Sequence, residues 1–301
     1  MIRIRSHLSF FVRKCRNLRP SYETIGDCRI RLAPGSHSLE YKRRFRRYDQ
    51  ALGIIAGIVH RKYPDLRAID IGANVGDTAA LIRSGARIPV LCVEGDRNLL
   101  SILSENVARL GSDIEIEASF VGPDGQTLDC NFIEDPGRNA SIRNALTKQG
   151  DKRLRSLANI LKDRPAFSDA KLLKTDTEGF DFDILRQSAD YVLSAKPIIF
   201  FEYDSSLTPH EPTAGLSTIQ YLTRAGYSDF IYFDNFGNYL LHAGSCAPGV
   251  FADLDHYLSS NRRHGVAVYY FDICAFHNDD QDLVVPLKTA IGVKSEPCNS
   301  H

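Results

Sequence analysis

Asp70, Glu94, Asp176, Glu178 and Glu202 share one local setting: each stands within or just past a short apolar run. Such runs, alternating with helical segments, become parallel strands. Acids near their ends then converge on one edge of the sheet. Carboxylates gathered there can accept hydrogen bonds from ribose hydroxyls, hold a cationic group, or take a proton from an acceptor.

The first run is Ile69-Asp70-Ile71-Gly72-Ala73-Asn74-Val75-Gly76-Asp77. It reads as a strand, a Gly-rich turn and a helix start, with the glycines allowing a sharp bend and a close backbone approach. Glu94 closes the next apolar run, where an acid accepts hydrogen bonds from both ribose hydroxyls of an adenosine. A dinucleotide site requires G-x-G-x-x-G; here Asn74 takes the second glycine position and Asp77 the third. An acid beside a pyrophosphate repels it. Asp70 and Asp77 therefore suit a nucleoside cofactor with a cationic end. The second cluster, residues 171–181, is an apolar strand ending in Asp176, Glu178 and Gly179; the third is Phe200-Phe201-Glu202-Tyr203-Asp204. Asp181 and Asp183 read as acids at a helix N-terminus.

The elements that must position these groups follow from periodicity. Residues 49–63 carry a helical pattern ended by Pro64. From residue 67 the order is strand (67–71), helix (78–84), strand (89–93), helix (97–110) and strand (114–121). This order predicts right-handed βαβ units. After a less regular stretch with a polar loop at 134–144, a helix face at 154–161 leads to strand 171–175, helix 182–193, strand 197–203 and helix 216–225. Strands at 229–234 and 266–276 complete a sheet of about seven. Residues 230–233 are aromatic and read as core before they read as a sugar platform.

The 301 residues are 43% hydrophobic and 25% charged, which excludes pervasive disorder and a disulfide-built miniprotein. The longest uncharged apolar run, 51–59, is far short of the ~20 residues of a membrane span. The basic N-terminus is not expected to be an export signal, its apolar run being interrupted at Ser9. The seven cysteines include no C-x-x-C, so reduced thiols and a cytoplasmic location are expected, with no zinc site. Net charge is zero, yet residues 1–50 hold 13 Lys and Arg against 4 Asp and Glu. The basic clusters Met1–Pro20 and Tyr41–Arg47 read first as a solvated helical face and leave room for peripheral membrane contact through the basic N-terminus; no nucleic-acid partner is expected.

Taken together, IDIGANVGD (69–77), VEGD (93–96), LLKTDTEGFDFDIL (172–185) and PIIFFEYD (197–204) resemble the FkbM-type methyltransferases. The resemblance spans about residues 49–276, leaving a basic N-terminal extension (1–48) and a C-terminal tail (277–301) outside the methyltransferase domain. It implies an α/β class I methyltransferase Rossmann-like fold. The sheet would be mostly parallel and seven-stranded, with an antiparallel last strand and helices on both faces. It also implies S-adenosylmethionine as cofactor and O-methylation of a sugar, glycan or secondary metabolite. Carried over position by position, Asp70, Gly72, Asn74 and Gly76 line the methionine part, Glu94 holds the ribose, and Ser119 and Phe120 lie near the adenine. Asp176 and Glu178 occupy the DxEG motif at the cofactor–acceptor boundary. In this chain Ser156-Leu157-Ala158 replaces the family's Thr-Leu-Asp.

The candidate bases are Asp176, then Glu202, with Glu178 beside them and His210 and His242 as outsiders. Asp176, Glu202 and Asp204 are hard oxygen ligands that could take Mg²⁺, but a divalent metal is not expected. Two other readings stay open at this level: a binding protein that keeps the fold without activity, and an NAD-dependent oxidoreductase.

Overall fold

The central strands come from the most apolar stretches of the chain, because a strand covered by helices on both faces keeps no solvent side. The computed structural model describes residues 20–293 except 35, 37, 49, 128–152, 178, 209–210 and 262–267. A hairpin of β1 (Tyr22–Ile25) and β2 (Cys28–Arg31) leads to α1 (Ser38–Arg44) and α2 (Gln50–Lys62). Strand and helix then alternate as predicted: β3 (Ala68–Ile71), α3 (Asp77–Gly85), β4 (Val90–Val93), α4 (Arg97–Leu110) and β5 (Ile114–Glu117). β6 (Phe120–Val121) pairs with β7 (Leu154–Arg155) in a small separate ladder ahead of α5 (Leu157–Asp163). Next come β8 (Leu172–Thr175), α6 (Asp181–Gln187), α7 (Ala189–Ala195), β9 (Ile198–Tyr203) and α8 (Ala214–Arg224). The described chain ends with β10 (Tyr227–Asp234), β11 (Tyr239–Gly244), α9 (Pro248–Asn261), β12 (Phe271–His277) and α10 (Val284–Ala290).

The main sheet has the order β11-β10-β12-β9-β8-β3-β4-β5. Its β5-to-β9 half is parallel, and β12 runs antiparallel to both β9 and β10. This is the doubly wound sheet with a reversed last strand, carrying one strand more than the seven expected. The extra strand, β11, folds back from β10 at the sheet edge. Its half-exposed sequence YLLHAG gives no strong apolar run to read. Three further boundaries differ. The stretch 114–121 breaks at Ala118-Ser119 into β5 and β6. The helix read over 182–193 is two helices meeting at Ser188, whose N–H bonds the Ile184 and Leu185 carbonyls. Residues 154–161 begin as β7 before turning into α5.

Helices cover both faces. α2, α3, α4 and α10 bury one apolar cluster against the sheet, and Ile25 and Ile30 from the N-terminal hairpin join it. Helices α5 through α9 bury the other, which includes Phe230 and Tyr232. Residues 230–233 are all buried, Ile231 and Phe233 in the first cluster, which makes this aromatic run core. From β3 the chain moves outward through β4 to β5, then returns to β8 on the other flank of β3. The strand order thus reverses between β3 and β8, and a crevice opens beyond their carboxyl ends. No described helix is long and apolar enough to cross a membrane.

Candidate active site

At the reversal point two loops touch. Gly72 follows β3 with φ +76, and its N–H bonds the Val93 carbonyl at 3.0 Å. A Cβ at this position would overlap the Asp176 carbonyl oxygen, so glycine is what lets the β3 and β8 loops meet. Gly76, at φ +85, turns the chain into α3 with Leu103 packed against it. Between them Asn74 is exposed, in the left-handed region, and its N–H donates to Glu94 Oε2 at 2.9 Å.

Glu94, buried just past the end of β4, has its other oxygen Oε1 bonded by the Asp96 N–H at 2.7 Å. Burial pushes its carboxyl up to about 7, while the backbone donors from Asp96 and Asn74 pull the other way. Asp96 itself caps α4 by accepting the Asn98 N–H. Each Glu94 oxygen thus carries one fixed backbone donor and retains acceptor capacity for a ligand hydroxyl.

Asp70 is placed differently from the expectation that it lines the cofactor. It is fully buried in β3, in register with Lys174 of β8. One oxygen lies 3.1 Å from Lys174 Nζ and the other accepts the Thr78 hydroxyl. Lys174 Nζ also donates to the Gly72 carbonyl at 3.1 Å and stands 3.9 Å from Asp176 Oδ2. Burial alone would lower this ammonium's pKa, but Asp70 and Asp176 outweigh it and hold it above the usual lysine value. Lys174 therefore ties β3, the glycine loop and the β8 loop together. Sequence reasoning did not single it out. The signal was a lysine inside an otherwise apolar strand.

Asp77 opens α3 half-buried, its carboxyl raised by burial against the opposing pull of Lys42 and Lys174. The Ser119 hydroxyl oxygen is buried without a hydrogen-bond partner among the described residues. Phe120 packs over Gly95, where any side chain would overlap its ring. A second residue that the sequence did not reveal is Asn106 of α4, which is fully buried. Its side chain accepts the Arg31 N–H at 2.8 Å and donates to the carbonyls of Arg31 (2.8 Å) and Val75 (2.7 Å), fastening the glycine loop to β2.

On the β8–β9 side, Asp176 has its side chain 52% exposed while its N–H is anchored on the Ile71 carbonyl. Asp181 is buried and accepts the N–H groups of Thr177 and Gly179, so it shapes the turn ahead of α6; burial and then Asp176 raise its carboxyl. Glu202 is half-buried on β9, opposite Asp272 of β12. Tyr270 adjoins this group. Its hydroxyl is raised by burial first and then by Asp272, Tyr48, Glu202 and Asp176. Asp204 accepts the N–H and hydroxyl of Ser206. Among the described residues no three His, Cys, Asp or Glu side chains form a metal-holding group. His242 lies on the edge strand β11, 2.8 Å from Asp229. Glu178, His210 and the loop 134–144 lie outside the described residues. At the start of α5, where the resemblance leads to an expected Thr-Leu-Asp, Ser156 caps the helix and Asp124 bonds Ser156 and Asn159.

The arrangement supplies a glycine-lined loop, an acid with two anchored oxygens, and one exposed carboxylate, Asp176, across the crevice. The model of the methyltransferase FkbM domain matches residues 70–228, more than half of the chain. No curated protein matches. Among solved structures, the methyltransferase FkbM from Methylobacillus flagellatus KT is 17% identical (TM-score 0.40), the match covering 56% of this chain and 40% of that one. The plantazolicin methyltransferase BpumL in complex with SAH is 11% identical over 80% of this chain and 88% of its own (TM-score 0.41). Fibrillarin from Aeropyrum pernix with bound S-adenosyl-L-methionine is 14% identical over 55% of this chain and 58% of its own (TM-score 0.32). The matched domain model takes in the glycine loop, Glu94 and Asp176 together, and on that span the chain belongs to the methyltransferase FkbM family.

Proposed function

We propose that this methyltransferase uses S-adenosylmethionine to methylate a hydroxyl of a sugar, glycan or secondary metabolite. The observation that carries the reading is Glu94: a buried acid just past the end of β4, oriented by two backbone donors and set beside the glycine loop. Such a carboxylate is suited to a pair of ribose hydroxyls. The unpartnered Ser119 hydroxyl and the Phe120 ring give the neighbouring strand end the mixed polar and flat character that an adenine would meet. Asn74 and Asp77 occupy glycine positions of a dinucleotide loop, which argues against NAD. When bound, S-adenosylmethionine supplies an electrophilic methyl group on a sulfonium.

The chain's own residues would do the rest. The loop 72–76 and Glu94 would fix the nucleoside, leaving the acceptor to approach from the β8–β9 side. Methyl transfer is an in-line displacement, and holding that geometry can contribute up to roughly 7–11 kcal/mol. Asp176, exposed at the boundary and fixed through its backbone, would take the acceptor's hydroxyl proton, with Glu202 as the second candidate. A positioned base contributes about 10²–10⁴-fold.

The test is thermal unfolding with S-adenosylhomocysteine and, separately, with NAD. Ligand at about 100 times its dissociation constant adds roughly 2.7 kcal/mol, a shift of several degrees for a domain of this size. A shift with S-adenosylhomocysteine alone is expected. A shift with NAD, or with neither, would overturn the cofactor assignment.

A further inference from the structure

The basic run in α1 and the turn behind it sorts its side chains by spacing. Tyr41, Lys42, Phe45 and Tyr48 recur at helical intervals and are half-buried, while Arg43, Arg44, Arg46 and Arg47 are exposed. Phe45 packs on Phe236 with ring centroids 4.1 Å apart, and the rings of Tyr41 and Tyr48 meet at 5.5 Å. Gly237 leaves free the space that the Arg47 carbonyl fills. Phe236 and Gly237 turn β10 into β11. The Asn235 side chain beside them accepts the Tyr269 N–H at 3.3 Å. Asp234 pairs with Phe271, and Phe271 with Tyr203 at the end of β9. The run is thereby fixed at the carboxyl edge of the sheet, the edge on which the crevice opens.

The outward arginines carry charge that the fold does not answer. None of the four makes a side-chain hydrogen bond or an ion pair among the described residues; Arg44 lies over the Phe45 ring at 5.4 Å. Lys42, on the inner face, is already paired with Glu23 at 2.9 Å. Partly exposed arginines elsewhere have carboxylate partners: Arg31 and Arg109 share Glu105, and Arg186 is held by Glu211. Arg61 and Arg224 are also exposed and unpaired, but singly and at the opposite edge. There α2 ends at Lys62, whose ammonium meets Asp282 beyond β12, and α8 ends just before Tyr227, which pairs with His277. Only in α1 and its turn do four such cations fall within five residues. Beside them Tyr269, 38% exposed, presents an amphipathic ring of the kind enriched at bilayer interfaces.

We propose that this arginine face docks the protein on an anionic lipid bilayer, with the crevice edge toward the membrane. A nucleic acid is the rival polyanion, and the composition of residues 1–19 argues against it. They hold six Arg and Lys and no acid, interleaved with Ile2, Ile4, Leu8, Phe10, Phe11 and Val12. Apolar residues between cations gain by entering a bilayer interface, whereas a phosphate backbone rewards the charge alone. The docking does not depend on methyl transfer, and its test uses neither cofactor nor acceptor.

The full chain is sedimented with vesicles of phosphatidylcholine and, separately, of phosphatidylcholine with about 30 mol% phosphatidylglycerol. Binding to the anionic vesicles is expected to be at least about tenfold tighter. It should fall as salt rises from about 0.1 to about 1 M, where the Debye length shrinks from roughly 10 to 3 Å. Arg43→Gln with Arg46→Gln should weaken it about tenfold or more. Arg61→Gln with Arg224→Gln removes the same charge at the other edge and should change it by less than about threefold. All four arginines are exposed, so folding should be kept; unchanged melting midpoints check this. A short DNA duplex, added at equal phosphate concentration, should leave most of the protein on the vesicles. Equal binding to both vesicles, no binding, or release by the duplex overturns the proposal. So does a loss in the first double variant no larger than in the second.

Discussion

The two sides of the crevice treat their carboxylates in opposite ways. On the β3–β4 side two buried acids are answered from inside the protein. Asp70 is met by Lys174 and Thr78, and Glu94 by the N–H groups of Asn74 and Asp96. On the β8 side Asp176 leaves half its side chain in solvent and is fixed mainly through its backbone. The first side is a preorganised cradle, in which orientation is settled before any ligand arrives. The second keeps an acid accessible, as a group that exchanges a proton with an incoming acceptor must be. Lys174 touches both sides and transmits any disorder of one to the other.

If that division is right, substitutions on the two sides should fail differently. Asp176→Asn should lower kcat by about 10²–10⁴-fold while changing the affinity for S-adenosylhomocysteine by no more than about threefold; calorimetry alongside a methyl-transfer assay separates the two. A variant with full turnover would remove Asp176 from the chemistry. Lys174→Met should act on the cradle instead. It leaves Asp70 buried and unpaired, a loss of about 3–5 kcal/mol, read as a melting midpoint lower by roughly 6–20 °C. The double variant Lys174→Met with Asp70→Asn should recover a large part of this loss, because the orphaned charge is gone. Additive losses would show that the two residues act independently.

Much of the cradle was legible because it is local. Residues 69–77 carry the strand, the turn and the helix start in one stretch, and the fully apolar β4 predicts a strand buried on both faces. What escaped was set by long-range register. Lys174 meets the Gly72 carbonyl 102 residues away along the chain, a partner that residues 171–175 alone do not name. The same holds for Asp70, whose residue type suggested a ligand and whose neighbours make it an internal counter-ion. At the edges the pattern is weak for another reason. β11 is half-exposed, and the hairpin residues Ile25 and Ile30 belong to strands of four residues, too short to show a period. Glu178 stays an expectation from the DxEG motif, since it lies outside the described residues.

Asn106 sharpens the comparison at a smaller amplitude. It holds the Val75 carbonyl and both backbone groups of Arg31, so Asn106→Ala leaves buried polar groups without partners and should cost about 1–3 kcal/mol. Because Val75 belongs to the glycine loop, KM for S-adenosylmethionine should rise while kcat at saturation stays within about twofold. A loss confined to stability would show that the hairpin supports the fold without tuning the loop.

The smallest effect is a pH dependence of the cradle itself, with opposite signs for stability and for binding. Burial raises Glu94 from an ordinary 4.5 to about 7 in the folded chain. Between those values the native state binds more protons at this site than the unfolded state does, so this group's contribution to stability falls as pH rises from about 4.5 to 7. Ligand binding should run the other way. Ribose hydroxyls donate best to the ionised carboxylate, so affinity for S-adenosylhomocysteine should rise with pH up to about 7 and then level off. The slope is at most tenfold per pH unit for one proton, or about 1.4 kcal/mol. Calorimetric titrations from pH 5.5 to 8.5 in buffers of differing ionisation enthalpy count that proton directly. Glu94→Gln should flatten the profile at a uniformly lower affinity. An affinity that is flat in the native chain, or that falls with rising pH, would mean that the ionised carboxylate of Glu94 is not what the nucleoside meets.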